Sequence, residues 1–162
     1  MESIESRVRA ALDGFEHELI PCDPELADTA AFCAHYGYPL EQSANTILVA
    51  SRKPEGRYAA CVVLATHRLD VNNRVRKLLD VRKISFAPAE VTAEVTGMLI
   101  GGVTPFALPA DLPLWIDEAV MACDWVILGG GSRSLKVKAS PEVLTALPGA
   151  EVVADLAKAA VG

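Results

Sequence analysis

The stretch from Thr96 to Leu108, TGMLIGGVTPFAL, constrains this chain more than any other. Gly101 and Gly102 are adjacent, so two consecutive backbone positions carry no Cβ and are open to positive φ. Pro105 then fixes φ and stiffens the exit. Such a segment does not continue as helix or strand. It folds as a stiff loop whose bare main-chain amides can come close to a ligand, and amides of this kind suit an anion or a developing oxyanion. The same residues also make a tight turn between buried segments. Which of the two the loop serves depends on what surrounds it.

The rest of the chain narrows the class. At 162 residues, half of them hydrophobic, it is expected to form a single domain, 1–162, with a full core. No apolar run is long enough to span a bilayer. The start, MESIESRVRAAL, lacks the apolar centre of a signal peptide. A cytoplasmic location and no membrane partner are therefore expected. Cys22, Cys33, Cys61 and Cys123 show no CxxC spacing and no ligand pattern with His17, His35 or His67, so neither a metal nor a disulfide is expected. No organic cofactor is expected either. Gly129-Gly130-Gly131 is followed by Ser132-Arg133-Ser134, without the last glycine of a dinucleotide fingerprint. The next segment, LKVKA, alternates like a strand, so the glycines read as a hairpin turn. P-loop and GxSxG patterns are missing.

Charge is uneven along the chain. The total is −6, yet Arg52 to Lys83 holds nine Lys and Arg against Glu55, Asp70 and Asp80. That segment is +6 and the remainder −12. Such a segment is either a footprint for a few phosphates or a solvated helix face. Asp70 opens a helix whose Val71, Val75, Leu78 and Leu79 face inward, leaving Arg74, Arg76 and Lys77 outward. With Arg52 and Lys53 these are the candidate nucleic-acid contacts.

Periodicity predicts a helix over 3–13 stopped by Gly14, and a strand from Phe15 to Ile20. Asp23-Pro24-Glu25 opens a helix that ends before Gly37. Glu41 to Ala50 enters a strand with Asn45 and Thr46 at its mouth. Tyr58 to Thr66 pairs with it antiparallel. A strand at Ile84–Ala87 and a helix from Pro88, with Val91 and Val95 inward and Gly97 as its stop, lead into the glycine loop. Strands follow at Leu114–Ile116, Asp124–Leu128 and Leu135–Ala139. A helix after Ser140-Pro141 and a short helical tail, Asp155 to Ala160, finish the chain. The sum is a mixed α/β domain.

This order of parts resembles the YbaK/EbsC family, aminoacyl-tRNA deacylases related to the editing domain inserted in some bacterial prolyl-tRNA synthetases. The resemblance covers about Pro39 to Leu156. Its most specific parts are Gly97 followed by Gly101-Gly102-Val103-Thr104-Pro105, and the late GGGSR…SPEVL segment. It implies a mixed sheet with surrounding helices and hydrolysis, in trans, of the ester of a mischarged small aminoacyl-tRNA. The partners implied are the aminoacylated 3′ end of tRNA and an aminoacyl-tRNA synthetase. Asn45, Gly101 and Gly102 take the catalytic positions. Thr46, Thr104, Pro105, Gly131, Ser132 and Arg133 take the substrate-binding ones. An ester is already activated, so a positioned water and an oxyanion site can supply much of the acceleration.

Two departures stand out. The family usually has lysine at the strand mouth, in a K-[ST]-L pattern, where this chain has Asn45-Thr46-Ile47. Asparagine donates and accepts hydrogen bonds but carries no charge. The family also tends to have an acidic residue after the late Gly-Arg turn, where this chain has Lys136. Lys136 either returns the missing cation from a facing strand or lies with Lys138 on the exposed face of LKVKA. The alternative to an active deacylase is a weak or inactive member that binds aminoacylated 3′ ends or a small molecule.

Overall fold

The apolar runs around Ile47–Val49 and Ala59–Leu64 meet as an antiparallel hairpin, and the other elements assemble around it. The computed structural model describes residues 3–160. In chain order the elements are α1 (Ile4–Leu12), β1 (His17–Pro21), α2 (Thr29–Tyr36), β2 (Ala44–Lys53), β3 (Glu55–Leu64), β4 (His67–Leu69), α3 (Arg76–Leu79), β5 (Lys83–Phe86) and α4 (Ala89–Thr96). There follow β6 (Leu114–Asp117), α5 (Glu118–Met121), β7 (Val126–Gly129), β8 (Leu135–Ala139), α6 (Glu142–Thr145), β9 (Ala150–Val153) and β10 (Ala157–Ala159).

The architecture is mixed α/β. A five-stranded sheet has the order β5-β2-β3-β6-β9. β2 is antiparallel to β3 and β5, whereas β6 runs parallel to β3 and β9 parallel to β6. Alternation along the central hairpin divides the core. Leu48, Ala60, Val62 and Leu64 pack on one face, against Val8, Val103 and Leu128 among others. Val49, Ala59, Cys61 and Val63 pack on the other, beneath Val71, Val75 and Leu156. A second sheet, β1-β8-β7, is antiparallel, and Gly129 to Ser134 make its β7–β8 hairpin turn.

One mismatch in strand length places the site. β5 pairs only with Val49 to Lys53 of β2. The Ala44–Leu48 part of that edge is left open, and the second sheet stands against it through a bridge between Ser43 and Ile127. Ala65 N donates to Ser43 O, and Ala87 N donates to Leu48 O from the other side. By alternation, the main-chain groups of Thr46 face the open edge.

Two expectations from the sequence are corrected, and a third gains a detail. The helix opened by Asp23 stops after one 3-10 turn, Pro24–Leu26, and α2 restarts at Thr29. The break falls where the Ala27 carbonyl accepts a hydrogen bond from Lys136 Nζ at 2.6 Å, instead of one from the helix backbone. On α4, Val91 and Val95 pack against the core as expected, and Thr92 and Thr96 are buried deeper still. Thr96 Oγ1 donates to Thr92 O at 2.6 Å, so its hydroxyl enters the core already paired. The tail is a strand and not a helix: Asp155 takes a φ of 58° and turns the chain so that β10 pairs with β4.

Candidate functional site

A cavity of about 350 Å³ occupies the gap between the open edge of β2 and the second sheet. Its walls come from the β2 mouth, the first turns of α2, the glycine loop, the end of β7, and Lys136 of β8. Phe32, Leu48, Val103 and Ile127 make much of it apolar, and a few polar groups converge within it. Concave, mostly apolar sites with sparse polar groups are the usual form of a small-molecule site.

Of the residues singled out from the sequence, Asn45, Thr46 and Gly101 line this cavity together. Asn45 Oδ1 accepts from Thr29 Oγ1 at 2.5 Å, which fixes the amide plane. Its Nδ2 has no acceptor among the described residues. Thr46 Oγ1 is buried and unpartnered. A buried hydroxyl without a partner is costly, so this one is set up for a water or a ligand atom. Gly101 sits at φ 94°, and a Cβ there would collide with Arg133 Nη1. Only glycine fits both constraints. The Gly101 N–H finds no acceptor among the described residues.

The other expected residues lie elsewhere. Gly102 is off the cavity wall; its N–H donates to Leu99 O at 2.9 Å and its carbonyl accepts from Gly131 N at 2.8 Å. Thr104 is fully buried, and its Oγ1 accepts from Phe106 N at 3.3 Å, capping the turn that begins with the buried Pro105. Gly131 and Ser132 lie beside α1, along a second groove with Ile4 and Arg9. Arg133 acts one layer out. Its Nη1 donates to Ile100 O at 2.8 Å and to Asp28 Oδ1 at 3.2 Å, and its Nε donates to Pro24 O at 3.1 Å.

Lys136 is the residue whose place the sequence left open. It is only 6% exposed, so it is no surface lysine, and its Nζ donates to Ala27 O at 2.6 Å and Gly101 O at 2.9 Å. Burial pulls its ammonium below the ordinary lysine value. Cys22 opposes this, Arg133 adds to it, and Asp28 and Cys33 oppose it. The chain therefore keeps a cation in the cavity, delivered from β8 and not from β2. The paired departures at 45 and 136 were the available signal. Nothing in the sequence marked α2 as a wall.

Arg133 and Lys136 together hold the carbonyls of Ile100 and Gly101. A carbonyl and the following N–H share one peptide plane. Fixing the Ile100 carbonyl therefore also fixes the Gly101 N–H.

The basic segment divides. Val71 to Leu79, carrying Arg74, Arg76 and Lys77, covers the sheet face opposite the one beside the glycine loop. Arg74 Nε donates to Ala154 O at 3.1 Å and Arg76 Nε to Asn72 O at 2.8 Å, so each has one donor engaged at home. Arg52 and Lys53 are exposed at the far end of β2, where Lys53 pairs in register with Lys83.

Fold and site together define a class: a mixed α/β domain with a glycine loop, a buried cation and unpaired donors around one small cavity. Solved structures share the fold. A proposed trans-editing enzyme for prolyl-tRNA synthetase superposes with a TM-score of 0.79 at 24% identity, over 99% of each chain. A hypothetical protein, APE2540, superposes with a TM-score of 0.82 at 27% identity, over 97% of this chain and 100% of the other. The uncharacterized protein YwhH of Bacillus subtilis (strain 168) is 29% identical over 127 residues, 74% of this chain and 80% of that protein. The aminoacyl-tRNA editing domain family matches residues 23–147, and the chain belongs to that family. No helix among the described residues is long and apolar enough to cross a membrane.

Proposed function

We propose that this protein, acting as one domain in the cytoplasm, hydrolyses the ester of a mischarged small aminoacyl-tRNA in trans. The observation that carries the reading is the convergence, in one cavity, of unpaired donors with a buried cation beside them. The Gly101 N–H meets the oxyanion that forms when water attacks the ester carbonyl. Lys136 holds that loop and adds positive potential where the negative charge develops. The Nδ2 of Asn45 and the Oγ1 of Thr46 orient the attacking water or a polar substrate atom. The carbonyl carbon gains a bond to the water oxygen and loses its bond to the ribose oxygen. The ribose oxygen leaves with a proton that derives from the water. The amino acid departs as the free acid, and the tRNA keeps its 3′ end. A cavity of about 350 Å³ suits a small aminoacyl group. An aminoacyl-tRNA synthetase that mischarges is the source of such a substrate.

One observation favours a second reading. The ionisable residues of the lining are Asp28 and Lys136, and both are engaged, Asp28 with Arg133 and Lys136 with two carbonyls. With no free base, the cavity would bind an aminoacylated 3′ end, or a small molecule, without turnover. Single-turnover hydrolysis across a panel of mischarged tRNAs separates the two. At least one substrate is cleaved well above its uncatalysed rate if the first reading holds. Tight binding with no acceleration on any substrate replaces it by the second.

A further inference from the structure

The rim of the cavity carries apolar side chains that the hydrolytic site does not use. Phe86, at the end of β5, is 54% exposed yet lines the cavity, and Ile100 is 53% exposed and lines it as well. Leu99, beside Ile100, is 63% exposed. Among the described residues these are three of the four exposed large hydrophobics, the fourth being Val152. Single exposed apolar residues need no explanation, but a cluster at the mouth of a cavity marks a contact surface.

The chemistry of the site decides what reaches that surface. If the cavity holds an aminoacyl ester, the ribose that bears it sits at the mouth. The base on that ribose then lies one sugar away, at the rim. Positive charge lies farther along the same edge, toward the far end of β2, where the phosphates of the same strand would run. Lys83 opens β5 three residues before Phe86, and exposed Lys53 is its partner across the strands. Strand rise puts Lys83 about 10 Å from Phe86 along the chain. Arg82 is exposed next to Lys83.

We propose that Phe86 is a stacking platform for the terminal nucleobase of a single-stranded 3′ end. Ile100 and Leu99 form the other apolar lip, and Lys53 and Lys83 meet the phosphates that lead to the base. Stacking on an aromatic ring is tolerant of sequence and is a common means of holding single strands. The proposal rests on the hydrolytic reading for the position of the ribose and extends it to the nucleotide.

Two variants test it. Phe86→Trp keeps an aromatic face and reports on it. Its emission is quenched by the trinucleotide CCA, and clearly less by the dinucleotide CC. Phe86→Ala raises KM for a mischarged tRNA roughly five- to twentyfold with kcat nearly unchanged, and Phe86→Trp stays near wild type. Quenching that is absent, or equal for the two oligonucleotides, overturns the platform, as does an unchanged KM in Phe86→Ala. The two readings fail separately. Quenching by CCA with no hydrolysis of any mischarged tRNA removes the hydrolytic reading and keeps the platform. Hydrolysis with an unchanged KM in Phe86→Ala removes the platform and keeps the hydrolysis.

Discussion

Replacing Lys136 by methionine removes one charge and leaves the stem. In the folded protein Nζ serves two carbonyls, those of Ala27 and Gly101. Ala27 is fully buried, so its carbonyl loses its partner without gaining water. An orphaned carbonyl of that kind costs about 1–3 kcal/mol. Relief from burying an ammonium offsets part of this, so the net loss of stability is expected near 1–2 kcal/mol. The effect on rate is expected to be larger. A unit charge ~6 Å from a developing oxyanion, at an effective dielectric near ~20, contributes about 3 kcal/mol. That is about a hundredfold in rate, or about tenfold if half the charge has developed. Single-turnover deacylation below the unfolding temperature measures this directly.

The pH dependence supplies a second readout. Burial lowers the lysine's folded value. The charged form is therefore lost, and the wild-type rate falls, at a pH below the ordinary lysine range. Between the folded and unfolded values the unfolded chain holds more protons, so the Lys136 contribution to stability rises with pH there. Methionine abolishes both effects. A Lys136→Met rate within threefold of wild type, with the same alkaline limb, would refute the electrostatic role.

Other outcomes rest on the same geometry. Asn45→Ala loses the bond from Thr29 and is expected to slow hydrolysis roughly tenfold or more, with stability down by only about 0.5–1.5 kcal/mol; single-turnover rates and thermal melts check both. The pair Asn45→Lys with Lys136→Asp restores the arrangement usual in the YbaK/EbsC family, and it should hydrolyse faster than Lys136→Asp alone; equal rates would mean that the cation cannot be exchanged between the two strands. Thr46→Val removes a buried hydroxyl with no partner, so the melting temperature should hold or rise while turnover drops; a clear loss of stability would show that the hydroxyl serves the fold. Gly102→Ala would place a Cβ 2.5 Å from the Ser132 carbonyl carbon, and overpacking against backbone should cost about 1–3 kcal/mol, read by denaturant unfolding.

Much of the frame was legible in the sequence because it rests on local rules. Gly37 and Gly97 take the left-handed conformation expected of helix-ending glycines. The apolar runs around Leu48 and Val62 pair as an antiparallel hairpin, and GGGSRS turns between strands. Asp70 Oδ1 accepts from Asn73 N, as an N-cap should. The tail and the first turns of the helix after Asp23 depart from expectation for one reason. Short segments have little intrinsic preference, and distant partners, β4 in one case and Lys136 in the other, set their state.

The candidate site divides along the same line. Asn45, Thr46 and the glycine loop belong to motifs, so their types and spacing could be read along the chain. That Gly101 lines the cavity while Gly102 packs on Ser132 could not be, because it depends on which side of the loop the β7–β8 hairpin occupies. The place of Lys136 was likewise undetermined. Strand alternation puts Lys136 and Lys138 on one face, and the packing of α2 decides which of them is buried. The two lysines end in different settings: Lys136 is enclosed with its Nζ on two carbonyls, and Lys138 lies 4.4 Å over the ring of Trp125. The sequence by itself determined the central hairpin, the glycine turns and the helix stops, since each follows from neighbouring residues. Only the tertiary structure decided where the cation sits, because burial is set by elements distant in the chain.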